Sequence, residues 1–470
     1  MANQHIVEAR SFDFVPEAER HGNVRSQFQL WFMINATVIT LYTGAVGPLY
    51  QLDLTWTLVA VVLGSVFGTM FQAFHGAQGP RMGLPQMIQS RVQFGSRGAI
   101  LPLVAAMISQ FGFAIFLIQT GSQALVDVSG STQYSLLQVI MTFLAVAIAI
   151  VGYNLVLRVE KLTSYAILIN LVLLTVAAVA FLPISSMFSN RNFALVPFLA
   201  QFGASAIYQL AIAPIVSDYT RYLPSRTSGG AVSAAVFFGT LLSAVWLEGL
   251  GAALSIAFPG ADVVTSLRDL GNHFGLWLGF ATMIIAAGAC LITAAITFYS
   301  GTVALLSAAE AFRPIRSTAL LRSVTIVVAS ILVIITSLSL PSDVLGTFAA
   351  FLSILGYFLI PWTAVNLIDY YYVRRGKFSI TDIMRPDGGI YGRWGKAGMA
   401  SYMLGFLAMV PFFSTPLYTG PIAVLLGKAD VSFAVGLTVS IVSYLLMMQR
   451  HDFDGELQYI RSAPLNTLEE

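Results

Sequence analysis

Long apolar runs recur from near residue 28 to near residue 449, and this recurrence restricts the fold more than any other feature of the chain. A helix needs about 20 apolar residues to cross a bilayer. The runs are continuous rather than alternating with polar residues, which argues against a membrane β-barrel. The sequence therefore predicts an all-α integral membrane protein with twelve spans, at approximately 28–50, 54–76, 98–126, 133–153, 162–183, 194–217, 229–258, 273–305, 319–340, 343–371, 398–423 and 431–449.

Composition agrees with this prediction and excludes a large soluble portion. Hydrophobic residues make up 57% of the chain and charged residues 10%, whereas soluble domains carry about 25% charged residues. Residues 1–27 are polar and contain no apolar core before a cleavage site, so they do not have the pattern of a removed signal peptide. The single cysteine excludes an internal disulfide and a cysteine-based metal site.

Positive charges are distributed unevenly among the predicted loops. Short cytoplasmic loops of membrane proteins collect Lys and Arg. If the N-terminus is placed in the cytoplasm, every Lys and Arg falls on that side except Arg191, Arg268 and Lys428. A wrong number of spans would scramble this asymmetry. It therefore supports twelve spans in the inner or plasma membrane, with both termini cytoplasmic.

Two predicted spans contain residues that interrupt helices. The first span carries Gly44, Gly47 and Pro48, and the sixth carries Gly203 and Pro214. Interrupted helices survive in lipid only where they line a cavity. Because the two lie five spans apart, equivalent spans would run in opposite directions. This arrangement predicts an inverted repeat of five plus five helices, with a substrate site near the midplane at the broken pair.

The spans and loops define the expected organisation of the chain. We expect a cytoplasmic N-terminal tail, a transport core made of two repeats, two additional spans and a cytoplasmic C-terminal tail. Their predicted limits are 1–27 for the first tail, 28–371 for the core with repeats at about 28–183 and 194–371, 398–449 for the additional spans, and 450–470 for the second tail.

The segment GAQGPRMGLPQMIQSRVQFGSRG, residues 76–98, separates the second and third spans. It follows no strand and lacks the G-x-x-x-x-G-K-[ST] pattern of a phosphate-binding loop. Its glycines and prolines favour tight turns. We therefore expect a packed cytoplasmic loop that borders the inner gate. His75, at the end of the second span, is expected at the membrane interface.

Polar side chains inside the spans mark candidate sites. Amides and hydroxyls in hydrocarbon need partners, so they should face the bundle interior or a cavity, although helix-to-helix hydrogen bonding accounts for many of them. Glu248, in the seventh span, is the clearest acid well inside a helix. Glu248 either carries a proton, since desolvation favours a neutral carboxyl group, or is hydrogen-bonded and structural.

The chain carries no recognisable catalytic constellation, and no histidine cluster has metal-ligand spacing. We therefore expect a transporter rather than an enzyme, with no cofactor apart from a coupling ion. Nothing in the sequence indicates an ATPase, so uphill transport would draw on an ion gradient.

Three segments resemble the nucleobase–cation symporter-1 family, the purine–cytosine permeases. The loop GAQGPRMGLPQMIQSRVQFGSRGA looks like that family's signature loop. IYQLAIAPIVSDYTRYLPS is similar to its sixth helix, and WFMINATVITLYTGAVGP to its first. The resemblance covers residues from about 15 to about 450. It implies a leucine-transporter-like fold, with a 5+5 inverted repeat and two extra helices, and import of a nucleobase (cytosine or a purine) or related small heterocycle coupled to H⁺ or Na⁺.

The resemblance also implies site residues. In cytosine permeases the third helix carries Gln, a spacer, Gly and then Trp, whose ring stacks on the base. The matching segment SQFGF gives Gln110, Gly112 and Phe113, with Phe in place of Trp. The matching positions on the sixth span are Tyr208 and Gln209. An aromatic face suits a planar base, and amides can read its hydrogen-bonding edge. Thr297 on the eighth span completes the predicted substrate contacts.

The family's cation site lies between the first and eighth helices. Asn35 matches a recurrent polar position on the first. The eighth span departs from the pattern of Na⁺-coupled members, because Thr293 and Thr297 are isolated hydroxyls and no Asn accompanies them. Na⁺ and H⁺ coupling both remain open, and H⁺ coupling would give a role to Glu248. The expected partners are a small heterocycle and the bilayer, with no nucleic acid.

Two alternatives remain at this point. The chain could be a passive facilitator or channel for the same ligands. It could also be a member of the family that is shifted to a vitamin or to a hydantoin- or allantoin-like substrate. The sequence does not distinguish them.

Overall fold

The computed structural model describes residues 13–151, 153–188, 192–312, 318–341 and 343–462, with side chains outside 151–163. It confirms the all-α, leucine-transporter-like fold of twelve spans, which are numbered here in chain order. Span 1 comprises Val24–Ile34, Val38–Gly44 and Val46–Leu49, and span 6 comprises Leu195–Leu210 and Ala213–Thr220. Spans 2 to 5 are Leu54–Gly76, Ile100–Ser129, Tyr134–Val151 and Tyr153–Phe181. Spans 7 to 12 are Gly229–Ala257, Leu276–Glu310, Ala319–Ser339, Val344–Ile368, Lys396–Met409 and Ser432–Met448.

Length and composition separate these spans into two groups. Eight of the described spans, numbers 2, 3 and 5 to 10, are long and apolar enough to cross a membrane unaided. Span 1 is broken, and spans 4, 11 and 12 are shorter helices of 18, 14 and 17 residues. The shorter spans pack against longer neighbours, so their ends are surrounded by other helices of the bundle.

Span 1 is interrupted twice: at residues 35–37, which the sequence did not indicate, and at Ala45, beside the Gly44–Pro48 segment that it did. We call the first interruption the span 1 break. Asn35 ends one helix and Thr37 precedes the next. The Thr40 hydroxyl donates to the Asn35 carbonyl oxygen at 2.7 Å. This bond satisfies a backbone group that the break leaves outside the helical ladder. A composition-based reading misses such a break because Asn-Ala-Thr is not a strong helix breaker.

Span 6 is broken at residues 211–212, one turn before Pro214. Helix Leu195–Leu210 ends there, and the second helix begins at Ala213 with the proline in its first turn. Proline lacks a backbone N–H and suits a first turn, where that donor would be unsatisfied anyway. Gly203 lies inside the first helix and causes no break.

Span 1 lies close against span 7 because both carry glycine at their contact points. A Cβ atom on Gly44 would overlap the backbone carbonyl group of Glu248, and one on Gly251 would overlap the carbonyl group of Leu41. Small residues at such crossings let two helix backbones approach in the membrane. The close approach fixes the position of span 1, including its break, along span 7 and therefore relative to Glu248.

We expect Gly251→Ala to reduce stability by about 1–3 kcal/mol, since overpacking must move span 1 or span 7. The measurement is the apparent melting temperature of purified protein in detergent. Gly203→Ala is the matched control, because a Cβ atom there meets nothing within 4 Å. Equal melting temperatures for the two variants would contradict the described helix contact.

The loop between spans 2 and 3 is packed, not slack. It forms three short helices, Gln78–Met82, Gln86–Gln89 and Arg91–Phe94, and most of its side chains are buried. Its last turn pairs with the segment before span 11, where Gly395 donates to the Phe94 carbonyl oxygen at 2.6 Å. We call the side of the molecule that holds this loop the loop end, and the other side the opposite end.

A buried ion-pair cluster fixes span 10 at the loop end. Arg374 contacts Asp369 at 2.5 Å and Glu456 at 2.8 Å. The Tyr444 hydroxyl of span 12 donates to the same Asp369 carboxylate at 2.8 Å, and the Gln93 amide of the loop donates to it at 2.7 Å. The end of span 10, span 12 and the loop therefore meet at one carboxylate, and Arg374 links it to the helix Phe453–Ser462 through Glu456.

We expect Arg374→Ala to be strongly destabilising, by about 3–5 kcal/mol, because it leaves a buried carboxylate without its counter-charge. The fall in apparent melting temperature in detergent measures the effect. Asp387→Ala is the control, since its carboxylate and its partner Arg385 are each about half exposed and such pairs contribute little. An effect of Arg374→Ala no larger than the control would show that the cluster does not hold this end together.

Two features were not predicted from the sequence. A helix at Val263–Phe274 lies between spans 7 and 8, so span 8 begins at Leu276. The predicted eleventh span, 398–423, instead ends near Phe412, and residues 413–420 are largely irregular before the short helix Pro421–Leu425. The start of span 8 and the end of span 11 could not be predicted from apolar composition. The amphipathic helix before span 8 and the apolar loop after span 11 have compositions similar to those of span ends.

Candidate functional site

A cavity of about 130 Å³ lies among spans 1, 3, 5, 6 and 8, beside both helix breaks. Of the predicted site residues, it brings together Gln110, Phe113, Tyr208, Thr293 and Thr297. The remaining lining is mainly apolar and extends toward the loop end through Leu30, Ile34, Ile215 and Tyr219. A concave, mostly apolar cavity with a few polar groups is typical of a small-molecule site.

Two aromatic rings form one wall of the cavity. The Phe113 and Tyr208 ring centroids are 5.9 Å apart at an interplanar angle of 70°. Phe113 also packs edge-on against Phe351 at 5.5 Å. Gly112 lies behind this wall rather than in the cavity, since a Cβ atom there would overlap the Phe351 ring. The glycine therefore lets Phe351 support the ring that faces the cavity.

Tyr208 is held by the break in span 1. Its hydroxyl is 2.8 Å from the Thr40 hydroxyl. Because Thr40 donates its own proton to the Asn35 carbonyl oxygen, Tyr208 is the donor to Thr40. The tyrosine ring thereby keeps one orientation toward Phe113, and any movement of the span 1 break would move the ring.

Span 8 contributes two hydroxyl groups to the cavity lining. Thr293 and Thr297 line the cavity together with Ala36 and Thr37 of the span 1 break. The Thr297 hydroxyl donates to the Ala294 carbonyl oxygen at 2.9 Å and keeps its oxygen as an acceptor. Within the described residues, no group of three or more His, Cys, Asp or Glu side chains could hold a metal ion.

Gln209, Asn35 and Glu248 lie outside the cavity in a separate buried network. The Glu248 carboxylate accepts from the Ser205 hydroxyl at 2.5 Å and from the Gln209 amide at 3.3 Å. The Asn35 amide lies 3.4 Å from the Gln209 carbonyl oxygen and donates to the Thr240 carbonyl oxygen at 3.0 Å. Tyr208 and its neighbour Gln209 lie on different faces of span 6, because adjacent helix residues are about 100° apart. The cavity and this network therefore share one helix.

Glu248 is completely buried and lacks a counter-charge. None of the ion pairs within the described residues includes it. A buried carboxyl group without a cation is costly when ionised. The sequence located this acid, but it did not predict Ser205, or Gln201, whose amide donates to Ser205 and to the Thr43 carbonyl oxygen.

His75 is buried rather than interfacial. Its ring stacks on Trp362 with centroids 4.5 Å apart, and its nitrogens contact the Thr363 hydroxyl at 2.6 Å and the Gln86 amide at 3.1 Å. The interfacial expectation was wrong because the packed loop covers the end of span 2, which sequence position alone does not show.

At the opposite end, span 1 contacts the residue that precedes the helix Val263–Phe274. Asp262 precedes the helix Val263–Phe274, and its carboxylate accepts from the Tyr42 hydroxyl at 2.6 Å. Burial raises the pKa of Asp262, although the bonds from Tyr42 and from the Val264 N–H oppose this shift. The contact ties span 1 to the helix that precedes span 8.

Other depressions are less suited to enclosing a planar ligand. One of them, of about 840 Å³, lies at the loop end, where Arg81, Arg226 and Arg375 surround a wide opening. A second, of 470 Å³, lies among spans 1, 6, 10 and 12. Neither contains a predicted site residue, so the smaller cavity at the helix breaks is the candidate site.

Comparison with known proteins identifies the family. A family model described as "Permease for cytosine/purines, uracil, thiamine, allantoin" matches residues 14–436. The chain belongs to this permease family. It is 33% identical over 450 residues to the putative purine-cytosine permease YxlA of Bacillus subtilis, covering 94% of this chain and 96% of that one. It is 25% identical to the purine-cytosine permease fcyB of Emericella nidulans, over 95% and 89% of the two chains.

A solved structure confirms the fold of this permease. Mhp1, a nucleobase-cation-symport-1 family transporter in a closed conformation with bromovinylhydantoin bound, superimposes with a TM-score of 0.73 at 18% identity. The match covers 94% of this chain and 95% of Mhp1. The resemblance to the symporter-1 family is therefore confirmed. The chain is a multi-pass membrane transporter, and its relatives are permeases rather than enzymes.

Proposed function

We propose that this permease imports a nucleobase, cytosine or a purine, or a related small heterocycle by symport with H⁺. The observation that carries the substrate class is the cavity at the two helix breaks, where aromatic rings and an amide face a small space. Stacking on an aromatic side chain is worth about 1–3 kcal/mol per base in proteins that bind nucleic acids. The amide of Gln110 can then hydrogen-bond the edge of the ring.

The relatives support the substrate class. Their names include purine-cytosine permeases and a hydantoin permease of Microbacterium maritypicum, which is 24% identical over 437 residues. A vitamin B6 transporter also matches over 58% of this chain. A planar nitrogen heterocycle is common to nucleobases and hydantoins. Phe113 and Tyr208 fit such a ring, and the exact substrate is left to the uptake panel below.

Glu248 supports coupling to H⁺. The carboxyl group is buried beside span 1 and accepts hydrogen bonds from two neutral donors, Ser205 and Gln209. It lies about one helix turn from Gly251, which contacts span 1. Protonation would remove the cost of its buried charge, so binding of a proton and rearrangement of spans 1 and 6 would be linked. Gln209 connects this carboxylate to the helix that carries Tyr208.

Na⁺ is the second candidate ion, favoured by one observation. Thr293 and Thr297 of span 8 line the same cavity as Ala36 and Thr37 of span 1, so both spans contribute residues with oxygen atoms to one space. Oxygen ligands suit hard cations. Uptake in sodium-free buffer separates the two ions, because H⁺ symport persists there and Na⁺ symport stops.

Orientation follows from the charges at the loop end. We infer that the loop end is cytoplasmic, because the short loops there carry nearly all of the Lys and Arg. Both described termini lie at this end. The cavity lining then runs inward from the helix breaks toward Tyr219, as import requires.

Uptake in cells that lack their own permeases tests the proposal. Radiolabelled cytosine, adenine, hypoxanthine and uracil form the core panel, with a hydantoin and pyridoxine as ring-shifted members. Saturable uptake of one compound, abolished by a protonophore, is the expected result. Uptake that never exceeds the external concentration and ignores ionophores would instead show a passive facilitator. No saturable uptake of any heterocycle would contradict the proposal.

A further inference from the structure

Spans 1, 2 and 7 enclose a group of polar side chains that the substrate cavity does not use. We call Asn35, Thr69, Gln72 and Thr240 the polar seam. All four side chains are fully buried. Five of their polar atoms have no hydrogen-bond partner among the described residues: Asn35 Oδ1, Thr69 Oγ1, Gln72 Oε1, Gln72 Nε2 and Thr240 Oγ1.

The packing of span 2 against span 7 places these atoms together. The two spans are antiparallel, because Leu58 lies against Gly249 near the opposite end while the Ala73 carbonyl accepts from Ser233 near the loop end. Gly76 faces Val236. One helix turn away on each span, Gln72 therefore faces Thr240, and Thr69 lies one turn further along the same face.

The seam begins at the Glu248 network. Asn35 donates to the Thr240 carbonyl oxygen, and the same amide lies 3.3 Å from the Ser243 hydroxyl. Asn35 also reaches Gln209, which donates to Glu248. On span 2, Gly64 lies against Ser205, the other donor to Glu248. Glu248 thus stands at one end of the seam and Gln72 at the other.

Beyond Gln72 the seam approaches the loop end. His75 follows within one turn and contacts Gln86 of the loop, and the Gln86 backbone N–H donates to the half-buried Asp218 carboxylate at 2.9 Å. The titratable groups along the route are Glu248, Tyr208 beside the span 1 break, His75 and Asp218. Within the described part of the chain, no Lys or Arg side chain hydrogen-bonds to a seam residue.

Buried polar atoms are satisfied by protein or by ordered water, and a water needs two to four polar partners. The seam offers five acceptors and donors within one helix contact. We propose that it holds a file of ordered water molecules that carries protons between Glu248 and the loop end of the permease. This inference rests on the proton coupling proposed above.

The transfer is balanced at every position. Each water accepts a proton from one neighbour and donates another to the next, so the file is unchanged after one proton has passed. Glu248 releases its proton to the first water and becomes a carboxylate, and the last water passes a proton to solvent at the loop end. The Thr69 and Thr240 hydroxyls can take part as donor and acceptor, while the Gln72 amide orients the waters.

Gln72→Met and Thr240→Val test the seam in protein reconstituted into liposomes, with radiolabelled cytosine as the probe. Both changes keep the side-chain volume approximately and remove the polar atoms that would hold the waters, and the apparent melting temperature is measured in parallel to show that each variant is folded. Accumulation driven by a pH gradient should fall about tenfold. Exchange of cytosine at equal concentrations should persist, since it does not require proton release. Gln138→Met is the control, because this amide accepts from Ser337 at 3.2 Å and its loss should lower melting temperature, not coupling.

The outcomes distinguish a failure of the polar-seam proposal from a failure of the proton-coupling proposal. If Glu248→Gln loses accumulation while Gln72→Met and Thr240→Val keep it, the seam is wrong and proton coupling stands. If Gln72→Met loses exchange as well as accumulation, the residue acts in substrate transport and the seam is wrong. If cytosine is not a substrate, the compound that the uptake panel identifies replaces it. Accumulation by Glu248→Gln at the level of the unsubstituted protein would overturn the proton coupling on which the seam rests.

Discussion

Replacing Glu248 by glutamine is expected to abolish accumulation driven by a pH gradient while substrate exchange is retained. The glutamine side chain has almost the same shape and can still accept from Ser205 and Gln209. It cannot take up or release a proton, so a symporter that uses this carboxyl group loses its coupling and keeps its binding site. The measurement compares accumulation and exchange in liposomes with an imposed pH gradient.

Two controls make this result specific. Glu19→Gln removes an acid that is exposed at the loop end and should leave both activities unchanged. Glu248→Asp keeps an ionisable group but shortens the side chain, so partial coupling is expected. Accumulation by Glu248→Gln equal to that of the unsubstituted protein would assign Glu248 a structural role and favour Na⁺ as the coupling ion.

Removal of the Phe113 ring is expected to have the second large effect. If the ring stacks on the substrate, Phe113→Ala loses about 1–3 kcal/mol of binding free energy, or roughly 5- to 150-fold in affinity. The measurement is the concentration of unlabelled substrate that halves binding of the radiolabelled compound to purified protein. Thermal stability is measured in parallel, because Phe113 also supports Phe351.

Matched variants distinguish stacking from packing. Phe113→Trp restores an aromatic face and should recover most of the affinity. Phe143→Ala removes a ring that is 70% exposed on span 4 and should leave affinity unchanged. Unaltered affinity in Phe113→Ala would remove this residue from the site and would point to another surface for the substrate.

Much of the fold follows from the sequence because bilayer length and charge asymmetry act over whole segments. Twelve spans and the pair of broken helices needed no side-chain detail. The position of the span 1 break was harder to predict, since it depends on the bond between Thr40 and the Asn35 carbonyl oxygen. Such a contact forms only when the chain is already folded around it.

The residues of the candidate site were predictable only in part, because residue spacing shows which span carries a side chain but not which way it points. Gln110, Phe113, Tyr208, Thr293 and Thr297 were predicted and do line one cavity. Gln209, although adjacent to Tyr208, faces the Glu248 network instead. The faces of a broken helix depend on the angle between its two halves, and residue spacing does not give that angle. The same limitation hid the burial of His75, which the packed loop covers.

Glycine contacts explain how the substrate cavity and the Glu248 network can be linked. Gly44 and Gly251 bring the backbone of span 1 against span 7, so the break that orients Tyr208 lies next to the helix that carries Glu248. A change in the charge of Glu248 would therefore act on the same break that forms the cavity. This proximity is the structural basis for coupling proton and substrate binding through spans 1 and 6.

Concentrative uptake in liposomes that contain only the purified protein tests the central claim most directly. The vesicles carry an inward pH gradient in sodium-free buffer, and the labelled compound is the nucleobase with the highest cellular uptake. Proton-coupled symport predicts accumulation above the external concentration, which collapses when a protonophore is added. Uptake that stops at the external concentration, or that requires Na⁺, would contradict proton-coupled symport by this permease.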